Sequence, residues 1–393
     1  MTTSEDNRGS RTLVPRYFLL FIVIVVALLP LVLNRQEAKA PLLFELDGPT
    51  MGTTYSVRFD TVPEGVTTEA LGQTIDATLA RINTLMSTYD PESELSRFNR
   101  HEGREWFDMS AETVTVIDAA MKISEMTSGA FDVTIGPLVD LWGFGSTTEV
   151  EFEPPAAAEI QKVRGRSGFR HLEVRQDPPA LRRTRVGLQV DLSGIAKGYA
   201  VDQIADDLET AGVESYMIEI GGEIRTRGHK PDGSPWLLGI EAPLRGQRVV
   251  HRVVELENDA MATSGDYRNY LTVKGKVFSH LLDPRTGHPI KHRLASATII
   301  ADKCTSADAL ATALMILGPE EGYQVALGHD LAVLWLLRQG GTNGAPDADS
   351  ATGGERVGLA ESHPLGEERF IEKTSPAFER RKRSGKSTEG SSE

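Results

Sequence analysis

The chain has 393 residues, 40% of them hydrophobic, and a formal net charge of −14. That acidity argues against non-specific binding to a phosphate backbone, which needs a basic footprint, so nucleic acid is not expected as a partner. A single cysteine, Cys304, excludes an internal disulfide and any cysteine-based metal cluster.

Arg8, Arg11 and Arg16 precede residues 18–33, a run with no charge and one proline, Pro30. Counting Tyr17, this is about the minimum length that spans a bilayer. A basic flank stays cytoplasmic. The reading is a cytoplasmic N-terminus over 1–16, a single-pass signal anchor over 17–33, and the remainder outside the cytoplasm. Cleavage after Ala38-Lys39-Ala40 is the alternative, and Pro41 disfavours it. No cysteine lies near the end of the run, which excludes a lipoprotein anchor.

The folded domain is expected from about Leu42 to residue 338. Tyr55, Val57 and Phe59 alternate as a strand after Met51-Gly52-Thr53. Leu71, Ile75, Leu79, Ile82 and Leu85 then mark an amphipathic helix. Asp90-Pro91 is a turn signal; beside it Tyr89 can stack on a planar ligand, or be an ordinary half-buried tyrosine. Ser110 is an N-cap for a helix over 111–127, which Gly129 ends. Residues 129–145 mix apolar residues and glycines without helical period, predicting a pocket-lining loop and then a packed aromatic hairpin. Residues 146–184 read as peripheral, with one short helix near 156–162.

The densest stretch is 190–202. Val186, Leu188, Val190 and Leu192 alternate as a strand, Ser193-Gly194 turns the chain, and a helix begins near Ile195. Free N–H groups at a helix start attract anions, and Lys197 adds a positive charge there. Asp191, at the strand end, can accept from a ligand or orient Lys197. Together these suit a phosphorylated ligand, or else form an ordinary strand–helix turn with a surface ion pair. Residues 214–220 form a strand ending in Gly221-Gly222, a pair that permits close backbone approach. Trp236, Leu238 and Ile240 alternate as another strand, and 262–268 reads as a polar turn.

His280 and Asp283 sit at a strand end before a Pro-x-x-Gly turn; His280 can accept a proton in group transfer or serve as a structural histidine. Ser306 reads as the N-cap of a helix that Gly318-Pro319 stops. Asp308 and Thr312, at i and i+4, share one face of it. A carboxylate and a hydroxyl form a sparse hard-oxygen set of the kind Mg²⁺ accepts alongside water and phosphate. Residues 331–337 are a buried strand, 340–354 a flexible insertion, and 370–377 a short returning strand in a tail that is otherwise polar and disordered beyond 380.

The ordered set of motifs resembles the ApbE family of flavin transferases. The set is Met51-Gly52-Thr53, Ser87-Thr88-Tyr89-Asp90, Gly129-Ala130-Phe131-Asp132, 191–198, Thr263-Ser264-Gly265-Asp266-Tyr267, His280-Leu281-Leu282-Asp283-Pro284 and 307–312. The resemblance implies a two-lobed α+β fold behind the anchor, and FAD held with Mg²⁺. It implies transfer of FMN from FAD to a threonine or serine hydroxyl of a target protein with release of AMP. By the same resemblance Met51, Tyr89, Ala130, Phe131, Asp132, Asp191, Lys197 and Leu282 contact FAD. Gly194, through its carbonyl, Asp308 and Thr312 hold the metal. Ala311 stands where some members carry a further aspartate. His280 or Asp283 receives the acceptor's proton, and the sequence does not choose between them. The implied partners are flavin-carrying subunits of membrane redox complexes on the periplasmic side of a bacterial inner membrane. FAD hydrolysis to FMN and AMP, or flavin binding without catalysis, are the competing readings.

Overall fold

Alternation of apolar and polar residues builds the sheet. Tyr55, Val57 and Phe59 are buried while Thr54 and Arg58 face solvent. The computed structural model describes residues 43–145, 152–339 and 369–384. The expected anchor over 17–33, the cleavage site at Ala40 and the insertion at 340–354 lie outside the described residues. No described helix is long and apolar enough to cross a membrane.

Eight described strands form the main sheet: β1 (Phe44–Thr50), β2 (Thr53–Phe59), β3 (Tyr216–Ile220), β4 (Glu223–Arg227), β5 (Ala260–Gly265), β6 (Leu294–Ala301), β7 (Ala332–Arg338) and β8 (Phe370–Thr374). They lie side by side in chain order, and every pairing is antiparallel. Ile218, Ile220, Val333 and Trp335 point to one face. There they meet α1 (Thr68–Met86), α2 (Ala111–Met126), α3 (Ala196–Thr210) and α4 (Cys304–Gly328). Met217, Leu334 and Leu336 point to the other, against Trp236, Leu238, Val254 and Leu256 of a two-stranded hairpin and Phe378 of α5 (Pro376–Ser384). Cover on both faces is why β7 is apolar from Ala332 to Leu337. The α+β class is as expected. The described residues from Leu43 onward belong to one compact unit. A smaller cluster of Leu138, Trp142, Ile160 and Leu282 packs apart from the two sheet faces.

Several local expectations are corrected. Residues 186–187 form a turn, with Gly187 at φ 76, and residues 188–192 carry only one bridge, Ile135 to Gln189, because side chains take their backbone groups. The Asn99 amide bonds both the N–H and the carbonyl of Val190, at 2.7 and 2.8 Å, and Arg183 takes the Leu188 carbonyl at 2.8 Å. The predicted aromatic hairpin is instead a short helix, Gly136–Leu141, with Pro137 in its first turn. Residues 262–265 belong to β5. The tail is part of the fold: β8 pairs with β7, and α5 runs to Ser384, past the expected onset of disorder at 380.

The helix α4 starts earlier than Ser306 suggests. Its N-cap, Lys303, makes no side-chain cap. Asp202 of α3 caps it from outside, accepting from the Cys304 and Thr305 N–H groups at 3.0 and 2.9 Å and from the Thr305 hydroxyl at 2.6 Å. Gly318, at φ 76, interrupts the helix as predicted, and Pro319 begins a second segment. The helices α3 and α4 touch at Gly198, where an added Cβ would fall 2.3 Å from the Cys304 carbonyl oxygen and 2.8 Å from Asp308 Cβ. Backbone cannot swing aside as a side-chain tip can. Gly198→Ala is therefore expected to cost about 1–3 kcal/mol, read as a lowered thermal midpoint; a midpoint equal to wild type would contradict this crossing.

Candidate functional site

The crossing of α3 and α4 sets a buried charge cluster against the start of β4. Asp308 Oδ2 accepts from the Gly198 N–H at 3.0 Å and lies 3.6 Å from Lys197 Nζ. Lys197 Nζ lies 3.3 Å from Glu223 Oε1 and 3.5 Å from the Ser193 carbonyl. Asp308 and Glu223 are both buried. Burial works against the Lys197 ammonium, yet Asp308 and Glu223 hold its pKa above the usual lysine value. Burial pushes the Glu223 carboxyl above the usual carboxylate range, with Lys197 opposing and Asp308 adding to the rise. The other oxygen of Glu223, Oε2, has no hydrogen-bond partner.

This arrangement corrects the expectation of an open anion cradle at the start of α3. The Ile195 and Ala196 N–H groups close onto the Leu192 carbonyl at 3.0 and 2.8 Å, and the Gly198 N–H is taken by Asp308. The anion at this helix start is the protein's own carboxylate, and the positive group left for a ligand is Lys197.

The predicted metal-binding residues converge. A Cβ placed on Gly194 would lie 3.6 Å from Thr312 Oγ1 and 3.2 Å from the Phe131 ring, so Gly194 brings its backbone close to both. Asp308 and Thr312 stand on one face of α4. A carboxylate, a hydroxyl and a backbone carbonyl, all hard oxygens, suit Mg²⁺ with further positions left to water or phosphate. Among the described residues no group of three histidine, cysteine or acidic side chains forms a metal centre. The site therefore fits only a cation that takes few protein ligands.

The other predicted positions divide. Ala130, Phe131, Asp132 and Leu282 are buried, Asp191 is half-buried, and Tyr89 is 70% exposed, free to lie against a ligand. Asp132 is a loop organiser. Its Oδ1 accepts from the Thr134 N–H and hydroxyl at 2.8 and 2.6 Å, and its Oδ2 from the Phe169 N–H at 2.9 Å. Desolvation raises its pKa and those hydrogen bonds oppose the rise. Asp191 closes the Ser193 turn by accepting that residue's N–H at 2.8 Å. Leu282 belongs to the cluster with Leu138, Trp142 and Ile160.

Met51 holds an unusual conformation. It and Gly52 form the two-residue turn between β1 and β2, with φ 45 and 71. Hairpin turns with positive φ at both positions favour Asn-Gly, and a methionine there stores strain of order 1 kcal/mol. Thr53, the residue after the turn, comes near the cluster: a Cβ on Gly221 would lie 2.9 Å from Thr53 Cγ2 and 3.5 Å from Glu223 Oε2. Met51→Asn is expected to raise the thermal midpoint, by up to about 1 kcal/mol of stability; an unchanged midpoint would show that the methionine carries no strain there.

His280 and Asp283 separate clearly. The Asp283 carboxylate accepts from the Arg285 backbone N–H at 2.9 Å and from its Nε and Nη2 at 3.0 Å. Arg285 in turn reaches Glu321 at 2.8 Å. Its lone pairs are thus occupied in holding the Pro-x-x-Gly turn. The half-buried His280 ring stands edge-on to Phe144, its Nδ1 2.8 Å from the Asn269 carbonyl. A carbonyl only accepts, so Nδ1 carries the proton and Nε2 the free lone pair. Desolvation lowers the ring's pKa and Lys197 adds to that; the Asn269 carbonyl and Asp266 oppose it.

The sequence matches the ApbE family over residues 51–335. This chain belongs to the ApbE family. It is 43% identical over 314 residues to a protein of Vibrio cholerae serotype O1 named FAD:protein FMN transferase, covering 80% of this chain and 93% of that one. A protein of the same name from Escherichia coli K12 is 35% identical over 297 residues, covering 75% and 84%. The structure superposes on the flavin transferase ApbE from Vibrio cholerae with a TM-score of 0.73 at 39% identity, covering 86% of this chain and 99% of that one. It superposes equally on the apo form of Pseudomonas stutzeri flavinyl transferase ApbE, with a TM-score of 0.73 at 36% identity, covering 86% and 96%. Glu223 and Asp202 join the site without having been singled out in the sequence. The one signal for Glu223 was its place directly after Gly221-Gly222.

Proposed function

We propose that this protein is a Mg²⁺-dependent FAD:protein FMN transferase acting on a threonine or serine hydroxyl of a target protein. The observation that carries the reading is the convergence of Gly194, Asp308 and Thr312 beside the half-buried Lys197, in a chain whose relatives are named for this activity. Gly194, Asp308 and Thr312 would hold Mg²⁺, which would supply positive charge to offset the charge gathering on the leaving group. The residues divide the remaining work. Lys197 faces the pyrophosphate, and Met51, Tyr89 and Phe131 bound the flavin nucleotide. His280 Nε2 accepts the proton of the acceptor hydroxyl as its oxygen bonds to the FMN phosphorus. The bond between the two phosphates breaks and AMP leaves with that electron pair. Asp283 serves as the anchor of the turn that carries His280.

The same reading places the protein in a bacterial inner membrane through residues 17–33, with the catalytic domain on the periplasmic side. Its targets there are flavin-carrying subunits of membrane redox complexes. The basic flank at Arg8, Arg11 and Arg16 supports this orientation. The test is the full chain with FAD, Mg²⁺ and a candidate acceptor domain, followed by intact mass of the acceptor. A gain of one FMN that requires Mg²⁺ is expected. Free FMN and AMP without acceptor labelling would point to a hydrolase, and intact FAD to a flavin carrier.

A further inference from the structure

Lys197 is held loosely. Its ammonium has three acceptors, Glu223 Oε1 at 3.3 Å, the Ser193 carbonyl at 3.5 Å and Asp308 Oδ2 at 3.6 Å, and each contact is longer than an ordinary charged hydrogen bond. It therefore lies between two carboxylates without being fixed to either. One of the two, Asp308, belongs to the hard-oxygen set with Gly194 and Thr312. The other, Glu223, has a buried oxygen with no partner at all, and a buried acceptor left unmatched calls for a physical reason. A divalent cation entering beside Asp308 repels the ammonium, because like charges in a partly dry site repel strongly. Glu223 offers the ammonium somewhere to go, with one oxygen already nearer than Asp308 and a second acceptor in reserve.

We propose that Glu223 is a positioning residue that draws the Lys197 ammonium off Asp308 when a divalent cation enters, so that one carboxylate keeps the lysine and the other the cation. The proposal rests on the cation reading given above. Without the cation, the lysine is shared between the two acids and offsets part of their charge. With it, Lys197 pairs with Glu223 and remains available to the FAD phosphates.

The test is Mn²⁺ uptake by the full chain, followed by loss of the free-ion paramagnetic resonance signal, which does not depend on turnover. Glu223→Gln keeps the shape and removes the charge. It is expected to weaken Mn²⁺ binding about tenfold, since the ammonium then has Asp308 as its only anionic partner. Lys197→Met is expected to bind Mn²⁺ at least as tightly as wild type, and adding Glu223→Gln to it is expected to change nothing further. Wild-type affinity in folded Glu223→Gln would overturn the proposal. So would an equal loss in the Lys197→Met background, because Glu223 would then act on the cation directly. If thermal melting shows Glu223→Gln unfolded, Glu223→Asp carries the test: its shorter acid keeps the charge, and an affinity between wild type and one-tenth of it is expected, with full wild-type affinity counting against. A wild-type protein that takes up no Mn²⁺ would remove the cation site itself, and this inference with it.

Discussion

Replacing Asp308 with alanine is expected to reduce FMN transfer by about three orders of magnitude or more, with the fold retained. The carboxylate is the only charged member of the set formed with Gly194 and Thr312, and a hydroxyl and a carbonyl alone hold a divalent cation poorly. Two protein groups also lose their partner: the Gly198 N–H, 3.0 Å from Oδ2, and the Lys197 ammonium. Lys197 keeps Glu223, so no buried charge is stranded and the penalty on stability is modest. The measurement is the acceptor labelling rate by intact mass at saturating FAD, with a parallel thermal melt. A well-folded variant transferring within tenfold of wild type would show that the cation is held elsewhere. Asp308→Asn refines the result. It keeps an oxygen for the Gly198 N–H but removes the charge, so it should fold like wild type and transfer like the alanine variant.

Asp308 also shows what could be read before the structure was known. Its pairing with Thr312 was visible because helical spacing puts i and i+4 on one face, and Gly318 at φ 76 ends the first segment where the Gly-Pro pair indicated. The expectation that failed beside it was the free helix start at Ile195. A sequence shows that a helix begins with unpaired N–H groups, but not which acceptor from elsewhere in the chain will claim one. Here the claimant, Asp308, lies 110 positions from the Gly198 N–H. The same limit hid Asp202 as the cap of α4, about a hundred positions from the groups that it satisfies. It also hid the amide of Asn99, which occupies the backbone of Val190 and keeps a perfectly alternating segment out of the sheet. Local pattern recovered the sheet strands around Tyr55, by alternation, and Leu334, by an unbroken apolar run. What escaped it were side-chain-to-backbone bonds between distant segments, and those are the contacts that shape the site.

His280→Ala is expected to slow transfer by about 10²–10⁴-fold at saturating FAD. The ring's geometry suits a base. Donation from Nδ1 to the Asn269 carbonyl at 2.8 Å fixes the orientation and leaves the Nε2 lone pair exposed to a proton donor. Its pH dependence follows from the same surroundings. Desolvation lowers the pKa, so the neutral form, the one that can accept a proton, predominates at neutral pH and persists below the ordinary histidine value of about 6.5. The rate of the wild-type protein should therefore be flat through neutrality and fall on acidification, with the midpoint below that value and a slope of one proton. His280→Ala should lose that acidic limb along with the rate, and added imidazole should restore part of both, since the alanine leaves a gap between Phe144 and Asn269 sized for a ring. Asp283→Asn sets the contrast. Its carboxylate is bound up with Arg285 at 3.0 Å, so this change should loosen the turn and lower the thermal midpoint while keeping the shape of the pH profile. If Asp283→Asn flattened the acidic limb and His280→Ala left it in place, the proton would pass to the aspartate, and the Arg285 pair would have to open for each turnover.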